Sequence, residues 1–278
     1  MGILLALVSS VMWGTADFLG GTMSRRLPVA AVVLGSQCCA FVVMLVIATA
    51  TGGWSAPRNY VPWGAAAGLV GLIALSLFYA ALATGTMGIV SPIAALGVLV
   101  PLGVGLFSGQ LPSGGQYFGI ALALIGIVLA SGPELNGASG TRPVILALGA
   151  ALGFGLALAF IAEGSKTSVS MTMLTMRTVS VIITIAVIAF TRSTGGVRSR
   201  DLPMLFAVGA FDVLANVTFG LASQMTLLTI VAVIGSLYPV MTVLLAWRVH
   251  HERLAPVQYV GVSVALLGVV AISALGTT

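Results

Sequence analysis

The side chains able to do chemistry are few, since 278 residues carry six acidic and eleven basic groups, and the informative ones fall inside long apolar runs. Asp212 stands near the middle of one run, and Asn216 follows one helical turn later, so a helix sets an amide beside the acid on one face. Arg177 lies about two turns into the preceding run, Asp17 in the last third of the first run, and Glu163 at the end of another. An ionisable group at bilayer depth costs about 2.5–3.5 kcal/mol even on the lenient insertion scale, so each is a functional candidate by default. Asp212 suits reversible proton exchange or the binding of an amine; a permanent ion pair with Arg177 that locks two helices is the other reading. Asp17 suits a cavity or gate, unless its helix ends early at Gly20 and Gly21 and leaves it at the interface. Glu163 and Arg177 suit an outer gate, unless Glu163 only marks a helix end. Trp13, Tyr79, Gln37 and Tyr238 are amphipathic side chains within the runs, able to stack on or hydrogen-bond a solute, or else to pack. Pro92, Pro101 and Pro239 each remove a backbone hydrogen bond, which makes them hinges near a site or tolerated bends.

The elements that position these residues are set by composition. The chain is 59% hydrophobic and 6% charged, against roughly 25% charged in a soluble domain, and therefore reads as a polytopic membrane protein. A net charge of +5 raises the question of nucleic acid. Basic residues scattered thinly between apolar spans cannot build a phosphate-tracking stripe, and they read instead as loop charges that orient helices. Runs of about 20 apolar residues predict ten spans, at about 3–21, 29–50, 62–83, 89–107, 116–131, 143–163, 170–191, 202–223, 227–247 and 256–275. No basic n-region precedes the first and no small-residue cleavage site follows it, so it reads as a retained span. Trp54, Tyr60 and Trp63 form an interfacial belt.

One segment occurs twice. QYFGIALALIGIVLAS at 116–131 returns 142 residues later as QYVGVSVALLGVVAIS at 258–273. Upstream, AALGVLVP at 94–101 lies over AVIGSLYP at 232–239, and Leu7, Trp13 and Gly14 lie over Leu148, Phe154 and Gly155. The chain thus divides into units 1–132 and 142–278 joined by a linker at 133–141. Five is odd, so the second unit must enter the membrane from the opposite side. The expected fold is an all-α integral membrane protein, ten transmembrane helices as two inverted five-helix repeats, with a site near mid-membrane where the units meet. Arg25, Arg26, Arg142, Arg192, Arg198, Arg200, Arg248 and Arg253 fall on one face, against Arg58 and Lys166 on the other, which places both termini outside the cytoplasm.

Trp13-Gly14, the pattern from Ala81-Leu82 to Pro101, the His251-Glu252-Arg253-Leu254 tetrad and the two Gln-Tyr-x-Gly segments resemble the EamA-like, ten-helix branch of the drug/metabolite transporter superfamily. The resemblance covers nearly the whole chain. It departs at Gly109-Gln110-Leu111, where the family favours Gly-Glu-Arg, at Phe154, where the second copy lacks the tryptophan, and in the orientation given by the charge count, since such proteins are often described with cytoplasmic termini. It implies a transporter with a central cavity between the copies, often an exporter of amino acids, metabolites or cationic drugs. The expectation is a secondary-active exporter of a small metabolite or drug-like solute in the inner or plasma membrane, working by alternating access and open to proton coupling. A passive facilitator of the same fold is the alternative.

A membrane-embedded enzyme is disfavoured, because the spans hold no histidine, no Gly-x-Ser-x-Gly and no H-E-x-x-H. No phosphate-binding loop supports nucleotide-driven pumping. No cofactor or metal is expected. His250 and His251 with Glu252 and Arg253 read as a solvated charge cluster, and adjacent Cys38 and Cys39 as apolar filler. The partners are a small-molecule solute and the lipid bilayer. Gly64 with Gly68, and Gly149 with Gly153, have the spacing of small-residue seams, which serve internal packing or a dimer, so a monomer and a homodimer both stand.

Overall fold

A computed structural model describes residues 1–85, 87–130, 141–191, 196–250 and 256–275. The expected linker up to residue 140, Arg192, the side chains of Pro92 and His250, and the tetrad at 251–254 lie outside the described residues. Among the described residues the apolar runs are helical over most of their length, as expected where no water can satisfy a backbone polar group. In chain order the helices are α1 (Gly2–Ser24), α2 (Val29–Ala50), α3 (Val61–Thr84), α4 (Met87–Ala95), α5 (Leu99–Phe107) and α6 (Gly114–Ala130). They continue as α7 (Thr141–Ser165), α8 (Val169–Thr191), α9 (Leu202–Met225), α10 (Leu228–Gly235), α11 (Tyr238–His250) and α12 (Pro256–Ala274). Among the described residues, seven helical stretches are long and apolar enough to cross a membrane, one of them joining α10 to α11, and three shorter apolar stretches lie at Ile93–Phe107, Gly114–Leu129 and Tyr259–Ile272.

Two of the expected continuous spans are broken. A tight 3-10 turn at Leu96–Val98 separates α4 from α5, and Ser236 with Leu237 separates α10 from α11. The breaks do not fall at the prolines. Pro101 is the third residue of α5 and Pro239 the second of α11, positions where the lost N–H has no intrahelical partner to lose. The first break instead holds Gly97, where an added Cβ would run into the Ala151 carbonyl of α7. Backbone meets backbone there.

The two halves bury the same positions. Gly64, Ala67, Gly68, Leu72, Ala74 and Phe78 of α3 recur 141 residues on as Leu205, Val208, Gly209, Val213, Ala215 and Phe219 of α9, all buried. In α2 and α8 the offset is 140, and Ser36, Gln37, Ala40 and Met44 become Met176, Arg177, Ser180 and Thr184. Packing between the halves is exchanged in the same way: α1 lies on α9 as α7 lies on α3, and α2 lies on α9 as α8 lies on α3. Two pairs, α2 with α8 and α6 with α12, are their own counterparts. At the α6–α12 seam a Cβ on Gly126 would meet the Ala265 backbone, and one on Gly268 would meet the Ala123 backbone. This is one contact seen from both copies. The glycine seams are used inside the molecule, Gly64 and Gly68 against α8 and Gly153 against α3.

The end of α5 is tied to the second half. Gly109 turns the chain at φ 80°, a left-handed value that glycine adopts freely, while Gln110 N–H reaches back to the Gly105 carbonyl at 3.0 Å. Gln110 then accepts the Leu228 N–H on Oε1 at 2.9 Å, which caps the first residue of α10.

Candidate functional site

Between the two halves lies a cavity of about 790 Å³, a figure that counts its open mouth. Its walls come from α1, α2, α3, α7, α8, α9 and the two broken spans, and no described side chain of α6 or α12 lines it.

Arg177 anchors the floor of this cavity. Buried to 3% exposure, it donates from Nη1 to Gln37 Oε1 at 2.9 Å and sets Nη2 2.8 Å from Asp212 Oδ2. Asn216 donates from Nδ2 to the other Asp212 oxygen, Oδ1, at 2.8 Å and to the Asp212 carbonyl at 2.7 Å. The i, i+4 pair expected on one helix face is therefore formed, and both carboxylate oxygens have partners. A buried guanidinium is tolerable only when paired and hydrogen-bonded in this way. Gln37 and Arg177 are also the same position of the two copies, facing each other where α2 meets α8.

Asp17 comes to the cavity because α1 does not end at Gly20 and Gly21 but runs on to Ser24. Among the described residues it has no ion-pair partner. Trp13, one turn earlier, lines the same cavity with its ring centroid 5.5 Å from that of Phe219. The counterpart rings, Phe154 and Phe78, stand 5.6 Å apart edge to face. Tyr238 lines the cavity from the start of α11 and donates its hydroxyl to the Ser91 carbonyl at 3.3 Å.

Tyr79 is fully buried behind the wall, its hydroxyl filling the space left by Gly20, and it is not among the lining residues. Glu163 does not meet Arg177. It pairs with Lys166 at 2.6 Å on the surface, 43% exposed, because Lys166 follows it in the same turn while Arg177 points inward to Asp212. Pro101 and Pro239 flank the two helix breaks without breaking the helices themselves. The sequence reasoning missed Ser236 and Ser180 on the cavity wall, and also Gly71, Leu75 and Leu158. The last three are the repeat counterparts of Asp212, Asn216 and Asp17, so carrying the internal alignment through the candidate residues would have found them.

An apolar helical shell around a cavity, placed between two copies of one unit and holding a buried ion pair, defines a multi-pass membrane transporter. The chain belongs to the EamA-like transporter family, which matches it over residues 1–132 and 141–274. A solved structure titled "Crystal structure of protein" has a similar fold, with a TM-score of 0.77 and 15% identity over 99% of this chain and 97% of its own. No curated protein matches the chain in sequence.

Proposed function

We propose that the chain is a secondary-active carrier that moves a small solute outward across the inner or plasma membrane by alternating access. The single observation that carries this is the exchanged packing of two copies about one cavity. Such a frame has two equivalent ways to lean, each opening the cavity to one side. In this reading each broken span joins with its second half, so ten spans form two inverted five-helix repeats, 1–132 and 142–278, joined at 133–141. The distribution of arginines sets both termini outside the cytoplasm.

Roles divide by position. Asp17, Trp13 and Tyr238 face the solute. Asp212, with Arg177, Asn216 and Gln37, is the hub through which helices α2, α8 and α9 move together, and it offers the route for proton coupling. Tyr79 backs α1 behind Asp17. The turns before Pro101 and Pro239, with Pro92 upstream, serve as hinges. A monomer suffices, since the glycine seams are taken up by internal packing. In this reading the chain is a carrier rather than an enzyme.

The test is solute flux into proteoliposomes across a panel of amino acids, sugars and organic cations, with and without a pH gradient, comparing wild type with Asp212→Asn. Gradient-accelerated flux of one solute that vanishes in the variant is expected. Flux that ignores both gradient and variant would establish a facilitator in which Asp212 only holds Arg177.

A further inference from the structure

The cavity ends at different depths in the two copies. On α1 and α3 the last lining residues toward Ser24 and Thr84 are Asp17 and Leu75. One turn further along, Tyr79 of α3 lays its hydroxyl into the gap over Gly20 of α1, and both residues are buried. Around that contact Phe18, Val33, Phe78, Leu82, Val90 and Leu205, drawn from α1, α2, α3, α4 and α9, form one buried cluster. In the other copy Gly20 corresponds to Ile161 and Tyr79 to Gly220, 141 residues on. Ile161 still lines the cavity, since position 220 brings no ring to cover it. The neighbouring positions, Phe78 and Phe219, are alike and equally buried, so the ring of Tyr79 is an addition made at one end only.

Two equivalent halves would close either end of the cavity with equal ease. A phenol ring seated on a glycine adds packing at one end alone, and that packing is lost when α1 and α3 part. Gly20 is what admits the ring, because a Cβ there would run into the tyrosine hydroxyl and the carbon that bears it. We infer that Tyr79 on Gly20 is a latch. It holds the cavity shut at the end where α1 and α3 finish, and so makes the state that opens toward the opposite end the resting state of the carrier. This rests on the carrier reading above, and gives its two states unequal weight. The latched end is the one that carries Arg25 and Arg26, both exposed just beyond α1.

The test is sided labelling of the full chain in membrane vesicles. Cys38→Ala and Cys39→Ala leave Leu158→Cys as the reporter on the cavity wall, and a parallel protein with Arg26→Cys in its place tells which face each vesicle preparation presents. Sulfonatoethyl methanethiosulfonate, which is anionic and does not cross the bilayer, is applied to right-side-out and inverted vesicles, and its reaction is read on the purified chain. With the latch intact, the reporter should react faster from the face opposite Arg26. Tyr79→Ala and Gly20→Ala should each speed reaction from the Arg26 face by about 10-fold while leaving the other face within about twofold, as a minor state gains population. A merely structural role would loosen both faces together, or lower the melting temperature with the ratio of the two rates unchanged. Tyr79→Phe keeps the ring and loses only the hydroxyl at Gly20, so it should move the ratio the same way by less, and it decides where the larger changes fail to fold. Equal rates from the two faces with the latch intact, faster reaction from the Arg26 face, no reaction from either, or a ratio that no variant moves overturns the latch. Solute flux in the same vesicles keeps the two readings apart. A shifted ratio with no flux of any solute supports the latch and overturns the carrier; flux with an unmoved ratio does the reverse.

Discussion

Both oxygens of Asp212 are held by protein partners, so removing either member of its pair leaves the other charge without its counter-ion. Asp212→Ala and Arg177→Ala should each lower stability by about 2–3 kcal/mol, somewhat below the ~3–5 kcal/mol of fully buried pairs because Asp212 keeps 20% exposure. The double variant should lose less than the sum of the two, because neither charge is then left alone. Thermal unfolding in detergent checks both statements, and additive losses would show that the two groups do not depend on each other. The exposed Glu163–Lys166 pair makes the contrast: Lys166→Ala should change stability by no more than about 1 kcal/mol in the same assay. At this scale the sequence was readable where partners lie on one helix. Asn216 beside Asp212 follows from a four-residue spacing. Gln37 as the second partner of Arg177 did not, because 140 residues separate them and only the matched burial of α2 and α8 brings them together.

The capping of α10 by Gln110 explains at the level of one element how the chain departs from its family's Gly-Glu-Arg without losing the turn. An amide oxygen and a carboxylate oxygen can both accept the Leu228 N–H, and the helix N-terminus favours a negative partner if anything. Gln110→Ala should therefore cost about 1 kcal/mol, whereas Gln110→Glu should match or exceed wild type, measured as melting temperature in detergent. Helices as such were legible, because a run of about 20 apolar residues in lipid has no other way to satisfy its backbone. The helix breaks were not. Prolines draw attention as breakers, yet Pro101 and Pro239 sit in first turns where they are harmless. The actual break at Gly97 is made by close approach of α7, a demand that no local pattern around residue 97 reveals.

For the whole molecule, the duplication was the most legible feature, because the repeated segments supply the helices of the seam where α6 meets α12. Equivalent positions there should respond alike. Gly126→Ala and Gly268→Ala each push a methyl into the opposing backbone and should destabilise by similar amounts, about 1–3 kcal/mol as for other overpacked sites. Gly103→Ala in α5, with open space around it, should be neutral or stabilising by up to about 1 kcal/mol. Unequal losses at Gly126 and Gly268 would show that the two sides of the seam are not interchangeable. The chemistry of the cavity was less legible, because substitutions such as Asp17 for Leu158 leave the shape of the frame alone and change only what it holds. Symmetry gives one pair a special status. If the halves trade shapes as the cavity turns from one side of the membrane to the other, each contact between them is handed to its counterpart, but Gln37 and Arg177 are counterparts of each other. Their hydrogen bond is a fixed point of the exchange, so the molecule can rock from end to end about a bond that never has to break.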